Sequence, residues 1–178
     1  MNDKKYQVFI SSTFDDLKEE RKAILEAILI TNNIPVGMES FVATSQEQFE
    51  HIKAYISNCD YYILIVDGRY GSQHPKLNLS YTELEFDYAK SLNKPILAFM
   101  HSDINKCRKK DKDLDNISKF RTKVQQEHLC QLFNSKAELK GLVLAALTQE
   151  IERNPQIGWI RSDKAISKYT NQKNVSLN

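Results

Sequence analysis

Glycine and proline are scarce in this chain of 178 residues, with five of the first and four of the second. The glycines (Gly37, Gly68, Gly71, Gly141, Gly158) spell neither G-x-G-x-x-G nor G-x-x-x-x-G-K, which excludes a dinucleotide fingerprint and a Walker phosphate loop. No G-x-S-x-G elbow occurs, the histidines give no H-E-x-x-H, and the cysteines give no C-x-x-C, so ligand spacing predicts no metal site. Cys59, Cys107 and Cys130, an odd number at unrelated spacings, read as reduced thiols and point to the cytoplasm. Long apolar runs are also missing. The longest, Tyr61 to Val66 and Leu142 to Leu147, fall far short of the roughly 20 residues a membrane helix requires. The polar start, Met1 to Lys5, is not a signal peptide. Nor does one sign of charge dominate: 25 Lys and Arg against 23 Asp and Glu leave +2, so bulk electrostatics selects no partner.

What is present is an ordinary globular composition, 41% hydrophobic and 27% charged. Apolar runs alternate with segments of helical period. Tyr6 to Ile10 precedes a helix over Asp15 to Ile30, Ile34 to Gly37 precedes Gln46 to Ile56, and Tyr61 to Val66 precedes Tyr81 to Leu92. Pro95 to Met100 then precedes Lys112 to Gln126, and a short run over His128 to Phe133 leads into Lys136 to Ile151. Five such alternations predict an α/β three-layer sandwich of flavodoxin-like type. Its five-stranded parallel sheet has the order 2-1-3-4-5, with helices on both faces. Residues 1–161 are expected to form this single domain, with a polar tail over 162–178. Ligands of such sheets bind outside the carboxyl ends of the strands, near the point where strand order reverses. The loops at issue are Ser11 to Asp15, Met38 to Phe41, Asp67 to Ser80 and His101 to Asn105.

Several residues in these loops and the helices after them break local rules. Ser80 to Glu83 spells S-x-x-E before a helical stripe, so Ser80 is the expected N-cap and Glu83 its capping-box partner. In the same helix, Tyr81, Leu84, Tyr88, Ala89 and Leu92 define an apolar face with Glu85 in its middle and Glu83 turned away. A buried carboxylate must be paired, protonated or placed in a polar cleft. Glu85 therefore either pairs with Arg69 or Arg21 or faces a ligand. Arg21 sits at the centre of the first helix's stripe, with Glu39 or a backbone carbonyl as its expected partner in a structural ion pair or fork. Ser11, Ser12 and Thr13 lead into that helix, where Ser12 to Asp15 spells a second capping box and free amides could take a phosphate. Gly68-Arg69-Tyr70-Gly71-Ser72 reads as an amide nest with a cation and a stacking ring, or as a tight turn needing positive φ at both glycines. Lys106 to Lys123 holds eight basic and three acidic residues with only Phe120 as an aromatic, which reads as a solvated helix face and not as a nucleic-acid surface.

The strings Tyr6-Gln7-Val8-Phe9-Ile10-Ser11-Ser12-Thr13-Phe14, Gly37-Met38-Glu39, Gly68-Arg69-Tyr70-Gly71-Ser72 and Ser80-Tyr81-Thr82-Glu83-Leu84-Glu85-Phe86 resemble the family of the domain of unknown function 4062. That family is grouped with the Toll/interleukin-1 receptor (TIR) superfamily. The resemblance implies a bacterial signalling or antiphage defence role. Many TIR domains cleave NAD at the nicotinamide glycosidic bond with a glutamate in a string similar to Glu85-Phe86-Asp87-Tyr88-Ala89. By that resemblance Glu85 acts on the ribose; the loop reading assigns Ser11, Ser12, Thr13, Arg69 and Gly71 to phosphates and Tyr70 or Tyr81 to stacking. NAD or a related nucleotide is then the substrate and no cofactor is required. The alternatives are a non-catalytic module that self-associates or meets a signalling partner, and a nucleotide-sensing domain without turnover. Neither membrane nor nucleic acid is an expected partner.

Overall fold

In the computed structural model, residues 4–37 and 48–163 are described. Five strands, β1 (Gln7–Ser11), β2 (Ile34–Gly37), β3 (Tyr61–Val66), β4 (Ile96–His101) and β5 (Cys130–Phe133), alternate with five helices. These are α1 (Lys18–Ile30), α2 (Gln48–Asn58), α3 (Tyr81–Ser91), α4 (Asp115–Glu127) and α5 (Lys136–Arg153). The sheet is wholly parallel in the order β2-β1-β3-β4-β5, the expected one. Order reverses between β1 and β3, which places the crevice at the ends of those two strands.

The central strand shows why its sequence is an unbroken apolar run. Tyr62, Leu64 and Val66 pack with Ile52, Phe86, Phe120 and Val124 beneath α2, α3 and α4. Tyr61, Ile63 and Ile65 pack on the other face with Ile24, Ile28, Leu139 and Val143 from α1 and α5. A strand covered on both sides has no solvent face to mark by alternation. Few glycines serve the turns; Asn32, Asn78 and Asn93 adopt left-handed φ of 61°, 54° and 54°, and the first and last follow the ends of α1 and α3. Asparagine tolerates that region best after glycine.

Helix α1 begins at Lys18, one turn later than its hydrophobic period predicts, with no side-chain cap. Ser12 donates to Thr13 O at 2.6 Å and Thr13 donates to Asp16 at 2.9 Å. The predicted Ser12 to Asp15 capping box is thus not formed, because these side chains tie down the loop instead. No helix of the described residues is long and apolar enough to cross a membrane.

Candidate functional site

Ser11 ends β1 on the same face as Phe9, under α3, because side chains alternate along a strand. Its Oγ donates to Glu85 Oε2 at 2.6 Å. Glu85 lies in the second turn of α3 and is 2% exposed. Among the described residues no Lys or Arg nitrogen comes within ion-pair distance of its carboxylate. Burial raises its pKa to about 7, against the lowering effects of the Ser11 hydroxyl and the Arg21 charge. The Tyr62 hydroxyl is pushed well above the usual phenol range, first by burial and then by the charge of Glu85.

Arg21 is 1% exposed. Its guanidinium donates to Ile10 O at 3.3 Å through both terminal nitrogens and to Ser12 Oγ at 2.9 Å. A backbone carbonyl is therefore one of its partners; Glu39, the other expected one, lies outside the described residues.

Glu85 helps line a cavity of about 270 Å³ together with Ser12, Thr13, Asp16, Arg69, Gly71 and Tyr81. Phe14, Ser72 and Thr82, quoted above within motif strings but given no role of their own, also line it, as does Ile52, which carried no signal in the sequence. Gly71 has φ of +87°, and a Cβ there would stand 2.8 Å from Thr13 Cγ2, so the residue both turns the chain and lets the β3 loop meet the β1 loop. Arg69 reaches this cavity while facing Asp111 at 3.5 Å and Asp16 at 3.8 Å. Asp16 is a second buried carboxyl here. Burial pushes its pKa up, against the bond from Thr13 and the charge of Arg69. Tyr81 stands at the cavity beside Phe49 and His74, with ring centroids 6.3 and 5.8 Å away.

Three expectations are corrected. Tyr70 does not face the cavity: it is buried, stands edge-on to Phe120, and donates to Glu83 Oε2 at 2.6 Å. Gly68 has no positive φ; a Cβ there would lie 2.7 Å from Lys109 O, so its role is close approach. Glu83 does not face solvent. Ser80 Oγ accepts from the Glu83 amide at 3.1 Å, yet the Glu83 carboxylate meets Tyr70 and Lys123 Nζ, the latter at 2.9 Å, in place of the Ser80 amide. The wheel of α3 centred the buried face on Tyr81, Leu84, Tyr88, Ala89 and Leu92, but the buried face is Thr82, Glu83, Glu85, Phe86 and Ala89, with Tyr81, Leu84 and Tyr88 only half-buried and Leu92 exposed. Helix α4 covers the flank where Phe86 meets Phe120 and Glu83 meets Lys123, whereas Thr82 and Glu85 face the cavity at the β1 loop.

Among the described residues, one group has the atoms to hold a metal: Asp67, His101 and Cys107, whose ligand atoms lie within 4.8 Å of one another. No spacing motif announces it, since the three come from two strand ends and a loop.

The fold is shared by proteins of distant sequence. A CMP N-glycosidase of Clostridium botulinum, BcmB, is similar at 14% identity over 78% of this chain and 98% of that one, with a TM-score of 0.50. A TIR domain from the RPS4 and RRS1 heterodimer is similar at 12% identity over 82% and 96%, with a TM-score of 0.51. No curated protein sequence matches the chain. The family described as Domain of unknown function (DUF4062) matches residues 7–148, and with that match spanning most of a TIR-like fold, the chain belongs to this family.

Proposed function

We propose that this domain binds a nucleotide in the Glu85 cavity and cleaves its N-glycosidic bond, with NAD or a related nucleotide as substrate. The observation that carries the reading is a buried glutamate that opens on a cavity at the switch point and has a hydroxyl, not a cation, as its partner. An ion-paired carboxylate is already neutralised; this one is left to meet positive charge that develops elsewhere. Departure of the base with the bonding electron pair leaves oxocarbenium character on the ribose, which ionised Glu85 stabilises or traps before water adds. With its pKa raised to about 7, Glu85 is divided between protonated and ionised forms at neutral pH, and the ionised fraction is the reactive one.

Ser12, Thr13, Arg69 and Gly71 are assigned to phosphate and Tyr81 to the base. The cavity, about 270 Å³, is small beside the 300–1,000 Å³ of ordinary ligand sites. It suits one nucleoside moiety, so the remainder of a dinucleotide would extend past Arg69. The test is release of free base, followed chromatographically, from NAD and from nucleoside monophosphates incubated with the wild-type protein and with Glu85→Gln. Release by the wild type alone supports the reading, and no release from any of them by the wild type removes it.

A second reading, self-association without turnover, rests on a different region. Ile30, Ile34, Trp159 and Ile160 are exposed around a groove of about 1040 Å³ near the amino ends of the strands. Contiguous apolar surface of this kind marks interaction sites. A second copy of the chain seated there would give a dimer that dissociates when Trp159 is replaced by Glu, as measured by light scattering.

A further inference from the structure

We propose that Asp67, His101 and Cys107 form a divalent-metal site of zinc type at the carboxyl ends of β3 and β4. Strand register brings the first two together: Val66 pairs with Met100, so the next residues, Asp67 and His101, stand side by side where the strands end. Cys107 arrives after a single 3-10 turn, Ile104–Lys106. Gly68 lets it come close. A Cβ at that position would stand 2.8 Å from Cys107 Cβ and 2.7 Å from Lys109 O, whereas glycine allows a parallel bridge between residues 68 and 110. The backbone thus fixes the thiol beside the carboxylate.

One carboxylate oxygen, one imidazole nitrogen and one thiolate sulfur form a borderline-soft donor set, which suits zinc and not magnesium or calcium. Two anionic ligands offset the charge of a divalent ion. Three protein ligands leave a fourth position open to water or a further ligand, as in zinc sites that bind or activate small molecules.

An independent observation points the same way. Asp67 is 8% exposed, and its Oδ1 is fully buried with no hydrogen-bond partner. The nearest guanidinium does not supply one. Arg121 donates to the backbone oxygens of His101 at 2.6 Å and Asp67 at 3.4 Å, so it ties the two strand ends together. This buried carboxylate oxygen lies beside the His101 ring and the Cys107 thiol, its nearest polar neighbour, and a divalent cation would displace the thiol proton and take oxygen, nitrogen and sulfur together. The Asp103 amide meets His101 Nδ1 at 3.2 Å, a long contact that ligation through that nitrogen would replace. None of the three ligands lines the Glu85 cavity, so the proposal stands apart from the glycosidase reading.

The experiment titrates the chelator-treated full chain with Co²⁺, the spectroscopic stand-in for Zn²⁺. One equivalent should produce thiolate-to-cobalt charge-transfer absorption with the intense visible bands of four-coordination, and Zn²⁺ should displace it. Cys107→Ser should abolish the charge-transfer band, Asp67→Asn should weaken binding tenfold or more, and Cys130→Ser should change neither. Circular dichroism checks that each variant is folded. Should Cys107→Ser fail to fold, His101→Gln decides the matter: a tenfold loss of Co²⁺ affinity supports the site and unchanged affinity overturns it. Absence of a thiolate band in the wild type at equimolar Co²⁺, or its persistence in folded Cys107→Ser, also overturns the proposal.

Discussion

Glu83 and Glu85 are two residues apart on one helix and both are buried, at 8% and 2% exposure, yet their surroundings are opposite. Glu83 faces α4, where Tyr70 and Lys123 take its oxygens and Lys123 also holds Asp87 at 2.7 Å. Burial there works against the Lys123 charge, but its bonds to Asp87 and Glu83 outweigh it and raise the pKa. Glu85 faces the β1 loop and receives one hydroxyl. The first carboxylate closes a polar seam between helices, while the second opens on a cavity and has no ion-pair partner among the described residues. Burial alone therefore does not distinguish a structural acid from a reactive one; the identity of the partner does.

The sharpest way to break this contrast is to neutralise each glutamate. Glu85→Gln keeps the shape but removes the charge, and turnover in the base-release assay should fall by about 10²–10³ or more. Glu83→Gln should leave turnover within a few-fold of wild type. Equal losses would erase the distinction.

Stability against pH gives the next largest effect. Glu85 has a folded pKa of about 7 against an ordinary value of 4.5, so its contribution is fully present below about pH 4.5 and is lost as pH rises through 7. That loss is about 3 kcal/mol. In urea titrations across this range, Glu85→Gln should lack the decline and be more stable than wild type at pH 8. A Glu85→Gln protein that is instead less stable at pH 8 would mean that the charge is compensated after all.

On the other flank, Lys123→Met strands two carboxylates. It should cost about 2 kcal/mol, less than the 3–5 of a fully buried pair because Lys123 and Asp87 are partly exposed. Turnover should be retained. The smallest effect is expected at the helix start, where Ser80→Ala removes the cap on the Glu83 amide and should lower stability by about 1 kcal/mol, read from the denaturant midpoint.

Much of this molecule is legible in its sequence. The six-residue run of β3 and the helical periods around it determined the layer order, because a strand buried on both faces and helices with one apolar stripe have few ways to pack. The inward position of Glu85 and of Arg21 followed from the same wheel arithmetic, since a residue's angular position on a helix is a local property. What lies opposite a side chain is not local. That Glu83 is covered depended on α4 returning against a second flank of α3, and that Tyr70 is core and not a stacking surface depended on Phe120 arriving from the same helix. The late start of α1 turned on a contest between loop hydroxyls and helix amides that similar motifs decide either way. Asp67, His101 and Cys107 meet only because β3 and β4 are neighbours and Gly68 admits the loop after β4. Their distances along the chain carry no trace of that meeting, and tertiary contact alone decided it.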